Sequence, residues 1–379
     1  MHPALLYRLL KPVLFSLDPE TAHDLVAGPS KALLSLPGGA AYLRATLGYS
    51  HPSLAVNCSG ISFPGPVGMA AGFDKTGTLY PFLSAAGFDF VESGTFTPLP
   101  QEGNPRPRLF RFPKQGVLIN RMGFNNPGMD DASAEFARQD ASISSTGPAR
   151  KQPRGINIGK NKVTPNDQAI QDYLKCFKLL QSHADYVAIN ISSPNTPNLR
   201  DLQSTEFLKD LLFELNRARE SLNSSVPVFV KLAPDISDQD LAPLTEAALE
   251  GSAAGLILTN TTISRELPGT TDQMRETMGG LSGHSLFDRS TELLEKAREI
   301  AGPNFALIGV GGIDSPVRAL HKILSGANLV QIYSGYIFRG PTLPAKINRF
   351  LQRVCAAEEC TVSDLVGKKK EFYRWLQSS

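Results

Sequence analysis

The chain has 379 residues and a formal net charge of +2, from 38 Lys and Arg against 36 Asp and Glu. That balance excludes a nucleic-acid binder recruited by bulk electrostatics, and no apolar run reaches the ~18–20 residues of a membrane span. The length allows a large core, as two ordinary domains or as one α/β barrel with an addition.

Residues 2–17 (HPALLYRLLKPVLFSL) are mostly apolar, with Arg8 and Lys11 interspersed. Pro12 is expected to bend or break a helix there. Asp18-Pro19-Glu20 reads as a helix start: an N-cap acid, Pro at the first helical position and an acid in the first turn. The second helix should run to about Leu36 and stop at Pro37-Gly38-Gly39, so the chain opens with two short helices. Leu5, Leu6, Leu9, Leu10, Val13, Leu14 and Phe15 supply more apolar surface than a solvated helix uses. The pair is either a lid packed on the rest of the molecule or an amphipathic layer on a bilayer. The N-terminus lacks the small-residue cleavage site of a secretory leader.

From about Val67 a rhythm begins. Apolar β-type runs at 67–71, 90–94, 155–158, 186–191, 226–232, 255–259, 306–310 and 329–333 alternate with helical periodicity at 204–222, 238–249 and 288–300. Eight strands in strict alternation predict a closed (β/α)8 TIM barrel of the α/β class rather than an open doubly wound sheet. The two opening helices become a small N-terminal extension, residues 1–45, ahead of a barrel domain at 46–379. Residues 139–154 interrupt the rhythm and read as a surface loop. Cys58, Cys176, Cys355 and Cys360 form neither C-x-x-C nor a metal spacing with His. Reduced thiols are expected, and no metal.

The strand ends are unusually polar, and in this fold the active site lies at the C-terminal ends of the strands. They deliver Ala70-Ala71-Gly72-Phe73-Asp74-Lys75, then Ser93-Gly94-Thr95, then Asn157 followed by Lys160-Asn161-Lys162. The fourth run opens into Asn190, Ser192, Ser193, Asn195 and Thr196 within seven residues, with Pro194 and Pro197 preventing its continuation as sheet or helix. Lys231, Thr259-Asn260-Thr261-Thr262, Gly309-Val310-Gly311-Gly312 and Tyr333-Ser334-Gly335 complete the series. Gly311 and Gly312 permit close backbone approach, and Ser315-Pro316 starts a helix whose N-terminus suits a phosphate. Gly279-Gly280-Leu281-Ser282-Gly283, before another helix, can add donors. A dinucleotide fingerprint fails because Asp314 stands where its last glycine belongs. No G-x-x-x-x-G-K-[ST] is present either.

A phosphate site among amides and lysines, without metal ligands, fits flavin mononucleotide (FMN). Asn157 and Asn190 can partner the ring, and Lys231 can stabilise the negative charge of its reduced form. Lys231 can equally be a strand-end salt bridge. The six histidines lie apart from the strand ends, so no Ser–His–acid arrangement is suggested. If a proton is removed, Ser193 is the candidate base; otherwise its hydroxyl only bonds a substrate.

The motifs AGFDK (71–75), PQEGNPRPRLFR (100–111), NRMGF (120–124), INIGKNK (156–162), NISSPNTPNLR (190–200), VKLAPD (230–235), TNTT (259–262), GGLSG (279–283), GVGG (309–312) and QIYSG (331–335) resemble those of class 2 dihydroorotate dehydrogenases, the quinone-dependent, membrane-associated type. The resemblance runs through nearly the whole chain, in order, and includes DPETAH at 18–23. It implies FMN bound by Ala71, Gly72, Phe73, Asp74, Lys75, Thr95, Asn157, Asn190, Lys231, Thr259, Gly283, Gly312, Tyr333 and Ser334. It implies dihydroorotate bound by Lys75, Asn120, Arg121, Met122, Gly123, Phe124, Asn190, Asn195, Asn260 and Thr261, with an ammonium for the carboxylate and amides for the ring. Ser193 stands where the family has its base, with Thr196 and Phe124 shaping the proton path. His23, Arg111 and Tyr333 match the residues that meet the head of ubiquinone or menaquinone.

Class 1 enzymes resemble the same barrel but carry a cysteine base, lack the N-terminal helices and use fumarate or NAD. A soluble, fumarate-dependent enzyme of that kind is the rival reading. A non-catalytic flavoprotein docked on membranes is another. The resemblance further implies a protein with no required protein partner, compatible with a monomer, held peripherally on the lipid surface at the cytoplasmic face of a bacterial inner membrane. Animal relatives carry a targeting sequence and a span ahead of the helices, whereas this chain begins almost at them.

Overall fold

A computed structural model describes residues 3–145, 152–196 and 199–377. Eight parallel strands close into a barrel: Val67–Met69, Phe90–Phe96, Arg154–Ile158, Tyr186–Asn190, Val228–Leu232, Gly255–Leu258, Ala306–Val310 and Leu329–Ile332. Each strand pairs with the next, and the eighth pairs back onto the first through Ile332 and Met69. The expected (β/α)8 barrel is therefore the fold. The strands are buried on every residue, which is why they read in sequence as continuous apolar runs rather than alternating ones.

The surrounding helices bury one stripe each. Thr205–Ser221 buries Leu208, Leu211, Leu212 and Leu215, at the three- and four-residue spacing of a single helical face. Ser204 caps it by accepting from the Phe207 N–H at 3.2 Å. A cap of this kind contributes about 1 kcal/mol.

Three helices precede the barrel, not two. Helix α1 (Pro3–Ser16) runs unbroken through Pro12, against expectation. Proline removes one N–H but does not end a helix held from outside, and α1 is so held. The Tyr7 hydroxyl donates to the Ile337 carbonyl and Lys11 Nζ to that of Phe338 at 2.7 Å. The ring of Phe15 meets Phe338 edge-on at 5.9 Å. Tyr7, Lys11 and Phe15 recur every four residues and share a face. Leu5, Leu6, Leu9, Leu10 and Val13 remain exposed. Helix α2 (Pro19–Ser35) starts at the expected cap, Asp18 accepting from the N–H groups of Glu20 and Thr21 at 3.0 Å. The unforeseen helix α3 (Gly39–Leu47) spans position 45 and packs Leu43 and Leu47 on Ala85 and Ala86. No helix among the described residues is long and apolar enough to cross a membrane.

Two further expectations change. Residues 139–145 are not loop but the end of the helix Met129–Ser145, and Arg154 is fully buried in the third strand. Its guanidinium bonds Gln139 at 3.1 Å and Asp140 at 3.0 Å, so polar residues that looked solvated satisfy one another inside. Positions 146–151 of that stretch lie outside the described residues. Gly280–Gly283 does precede a helix, as expected, but is itself a strand. It pairs antiparallel with Val117–Asn120, which pairs with Leu109–Phe112, forming a small sheet beside the barrel mouth.

Candidate active site

A cavity with an empty volume of about 1030 Å³ occupies the C-terminal mouth of the barrel. Seven strand ends line it. Ala71, Gly72, Lys75, Thr95, Asn190, Lys231, Thr259, Gly312, Tyr333 and Ser334 all face it, with Gly283 from the small sheet. On the outer side stand Asn120, Met122, Gly123, Phe124, Asn195, Asn260 and Thr261, and Ser193 lies among them. The fold thus gathers most of the residues expected for cofactor and substrate into one space.

Five expected residues stand off it. Phe73 turns outward to Tyr333 and Tyr336, each ring at 5.7 Å. Asp74 is fully buried behind the first strand end. It accepts from the Leu79 N–H at 3.1 Å and the Ser93 hydroxyl at 2.9 Å, and burial pushes its carboxyl upward. Asn157 lies beneath the cavity, its Oδ1 accepting from Thr95 Oγ1 at 2.6 Å and Asn190 Nδ2 at 3.3 Å. Thr196 is 4% exposed but does not line the cavity. Arg121 faces a neighbouring recess and donates to the Pro107 carbonyl at 2.9 Å.

The fourth strand end is the most heavily braced. Asn190 Oδ1 accepts from the Ser192 N–H at 3.2 Å, the Ser192 hydroxyl at 3.0 Å and Asn260 Nδ2 at 3.2 Å. Ser193 is 5% exposed, and its Oγ accepts from the Asn195 N–H at 3.3 Å. Asn195 Nδ2 donates to Asn120 Oδ1 at 3.0 Å. Pro194 lies in the turn, while Pro197, expected to share its role, lies outside the described residues. Phe124 holds a positive φ of 52°, a conformation that side chains seldom adopt. Its carbonyl accepts from Asn126 Nδ2 at 2.7 Å and Gln101 Nε2 at 3.2 Å, which keeps the 120–124 segment in place over the cavity.

Lys75 lines the cavity from the first strand end. Burial pulls its ammonium down to about 8, against the upward pull of Glu20 and with a further downward push from Arg108. At the seventh strand end, Gly311 and Gly312 hold φ of 110° and 71°. A Cβ on Gly312 would lie 2.5 Å from Phe287 Cβ, so only glycine lets this turn pass under the helix Phe287–Ala301.

The first strand end also meets the N-terminal helices. His23, which looked remote in sequence, has Nε2 3.0 Å from the Phe73 carbonyl, and its ring lies 5.1 Å from that of Phe73. Tyr333, lining the cavity, donates to the Gly72 carbonyl at 3.4 Å, and burial pushes its hydroxyl up to about 12. Arg111 stacks over Phe15 at 4.7 Å and donates to the Leu17 carbonyl. His23, Phe73 and Tyr333 form a path of touching rings from α2 to the cavity.

Several site residues escaped sequence reasoning. Arg200 ties three loops, donating to the Ser192 carbonyl at 3.2 Å, the Thr261 carbonyl at 2.8 Å and Asp235 at 2.7 Å. Asn104 Nδ2 donates to the Arg121 and Asn195 carbonyls at 3.0 and 3.3 Å. Arg108, itself paired with Glu20 of α2 at 2.9 Å, donates to the Asn104 carbonyl at 2.9 Å. Glu92 pairs with Lys231 at 3.3 Å, which is the salt bridge that the sequence left open for that lysine. A signal existed for Glu92 alone: a carboxylate within an apolar strand is rarely buried without a partner. No group of His, Cys, Asp or Glu that could hold a metal occurs among the described residues.

Comparison with known proteins agrees with this geometry. Residues 53–355 match the family model described as dihydroorotate dehydrogenase. A dihydroorotate dehydrogenase (quinone) of Christiangramia forsetii is 42% identical over 90% of this chain and 97% of its own. That of Anaeromyxobacter dehalogenans is 44% identical over 96% of this chain and 97% of its own. The crystal structure of DHODH from Eimeria tenella in complex with ferulenol superposes with a TM-score of 0.84 at 35% identity, over 93% of this chain and 96% of that one. The chain, with its barrel, its amide-lined cavity and its N-terminal helices, belongs to the dihydroorotate dehydrogenase family.

Proposed function

We propose that this protein oxidises dihydroorotate to orotate with FMN in the barrel mouth and a quinone as electron acceptor. The observation that carries the reading is Ser193, nearly buried between a cofactor-type wall (Thr95, Asn190, Lys231) and a substrate-type wall (Asn120, Asn195, Asn260) of one cavity. The residues present fit a flavin. Gln331 Oε1 and Thr261 Oγ1, on residues that line the cavity, are buried polar atoms without a protein partner, as groups awaiting a ligand are. Gly283, Gly312 and Ser334 would take the phosphate, and Lys231 with Asn190 the ring. When bound, FMN supplies a two-electron acceptor for a hydride.

Lys75 would hold the substrate carboxylate as an ion pair, and the four asparagines Asn120, Asn190, Asn195 and Asn260 would match its ring N–H and C=O groups. In the balanced reaction, Ser193 takes the C5 proton and the C6–H leaves with its electron pair as hydride. The C5=C6 double bond of orotate forms. A serine is a weak base, and its competence rests on the fixed network around it rather than on a histidine. Phe124 closes the cavity over it. Thr196, enclosed three residues along, would serve the proton's exit.

The electrons then leave on the N-terminal side. The apolar face of α1, with Leu25 and Val26 of α2 also exposed, would lie on a bilayer in the manner of an interfacial helix. A quinone would enter between these helices and the barrel, its head meeting His23, Arg111 and Tyr333. This placement favours a quinone over fumarate and a peripheral position on the membrane, which we assign to the cytoplasmic face of a bacterial inner membrane. The testing experiment is anaerobic addition of dihydroorotate to the purified yellow protein. Bleaching of the flavin, reversed by a ubiquinone analogue and not by fumarate, is expected. A flavin that dihydroorotate leaves oxidised sinks the proposal.

A further inference from the structure

Glu92 is fully enclosed in the second barrel strand, beneath the cavity. Its carboxylate takes a partner from each of four other strands. Oε1 accepts from Asn157 Nδ2 at 2.8 Å and Lys231 Nζ at 3.3 Å. Oε2 accepts from Gln331 Nε2 at 2.6 Å and the Tyr186 hydroxyl at 3.1 Å. Tyr186 reaches it only because position 155 is glycine, where a Cβ would meet the Tyr186 ring at 2.1 Å. A buried ion pair adds little stability over well-packed apolar residues, so packing alone does not account for this cluster. Two of its members, Lys231 and Gln331, line the cavity. A third, Asn157, has its amide orientation fixed by Glu92, which leaves Oδ1 to receive Thr95 and Asn190.

We propose that Glu92 is a positioning residue that sets the charge the cavity floor presents to the bound cofactor, and thereby its reduction potential. The inference rests on the flavin reading above. A hydride carries two electrons and one proton, so its acceptor gains one negative charge. Lys231 favours that charge, and Glu92, an anion on the opposite side of the ammonium, tempers it. With both ionised, the floor is neutral. Remove the carboxylate charge and the floor becomes cationic, which stabilises the reduced cofactor. The dihydroorotate half-reaction is then favoured and the transfer to quinone slowed.

The test is the two-electron midpoint potential of the FMN-loaded protein, read by absorbance against reference dyes. Glu92→Gln is expected to raise it by about 30 mV or more, a tenfold change in the oxidised-to-reduced equilibrium. Tyr186→Phe keeps the carboxylate and its lysine but removes a hydrogen bond that spreads the negative charge. It is expected to lower the potential, and it decides the question alone if Glu92→Gln does not fold. Unchanged potentials in variants that retain full FMN would make Glu92 a structural residue and overturn the inference, as would shifts of the same sign in both. A wild-type protein that neither carries nor takes up FMN fails differently: it overturns the cofactor reading, and this inference with it.

Discussion

The barrel mouth and the N-terminal helices solve opposite problems. At the mouth the amides and the arginine that shape the fourth strand end are held by others: Asn190 by Ser192 and Asn260, Asn195 by Asn120, Arg200 by three loops. On α1 no residue is buried, and the outward face is aliphatic. The first region recognises by fixed direction and the second by area alone. Point changes should therefore act sharply in one and gradually in the other.

The largest effect should come from the mouth. Ser193→Ala is expected to slow flavin reduction by dihydroorotate about 100-fold or more at neutral pH while FMN stays bound. Stopped-flow absorbance reads it, and wild-type reduction in that variant would remove Ser193 as the base. Next is the helix face. Leu9→Glu with Val13→Glu should weaken vesicle binding and long-chain quinone turnover about 30-fold, on the order of 1 kcal/mol from each lost apolar contact. Reduction by dihydroorotate should be unchanged, and equal loss of both half-reactions would erase the contrast between the regions.

A smaller effect is expected from pH. Because burial brings the Lys75 ammonium down to about 8, it is charged below that value and neutral above it. KM for dihydroorotate should rise as pH passes above about 8, with a lesser change in kcat. A KM flat to pH 10 would separate Lys75 from the carboxylate. The smallest lies in neither region. Ser204→Ala should lower stability by about 1 kcal/mol, seen in thermal unfolding, and leave both half-reactions intact.

What was legible in sequence follows from distance along the chain. The eight strands announced themselves because a strand buried on both faces is a local run, and their ends because glycine, proline and amide clusters are local too. The small sheet was not legible: four residues such as Gly280–Gly283 carry no periodicity. Nor was α3, which begins at glycines that looked like a terminator. The bracing network was hidden for another reason. Glu92 and Lys231 are 139 positions apart and Glu92 and Gln331 are 239 apart, so only closure of the barrel makes them neighbours. The 139–154 stretch misled because Gln139 and Arg154, polar residues at its two ends, bury by pairing with each other.

The helix Ser334–Arg339 has only six residues. Its first, Ser334, faces the cavity, and the carbonyls of Ile337 and Phe338 near its end grip α1 through Tyr7 and Lys11. Gly340 follows, its missing side chain making room for the Tyr7 ring. One short rod is thus the abutment for both the barrel-mouth cavity and the helix proposed to face lipid. Sequence drift at either end is answerable to the other, and a graft of these N-terminal helices onto a related barrel would need this segment to travel with them.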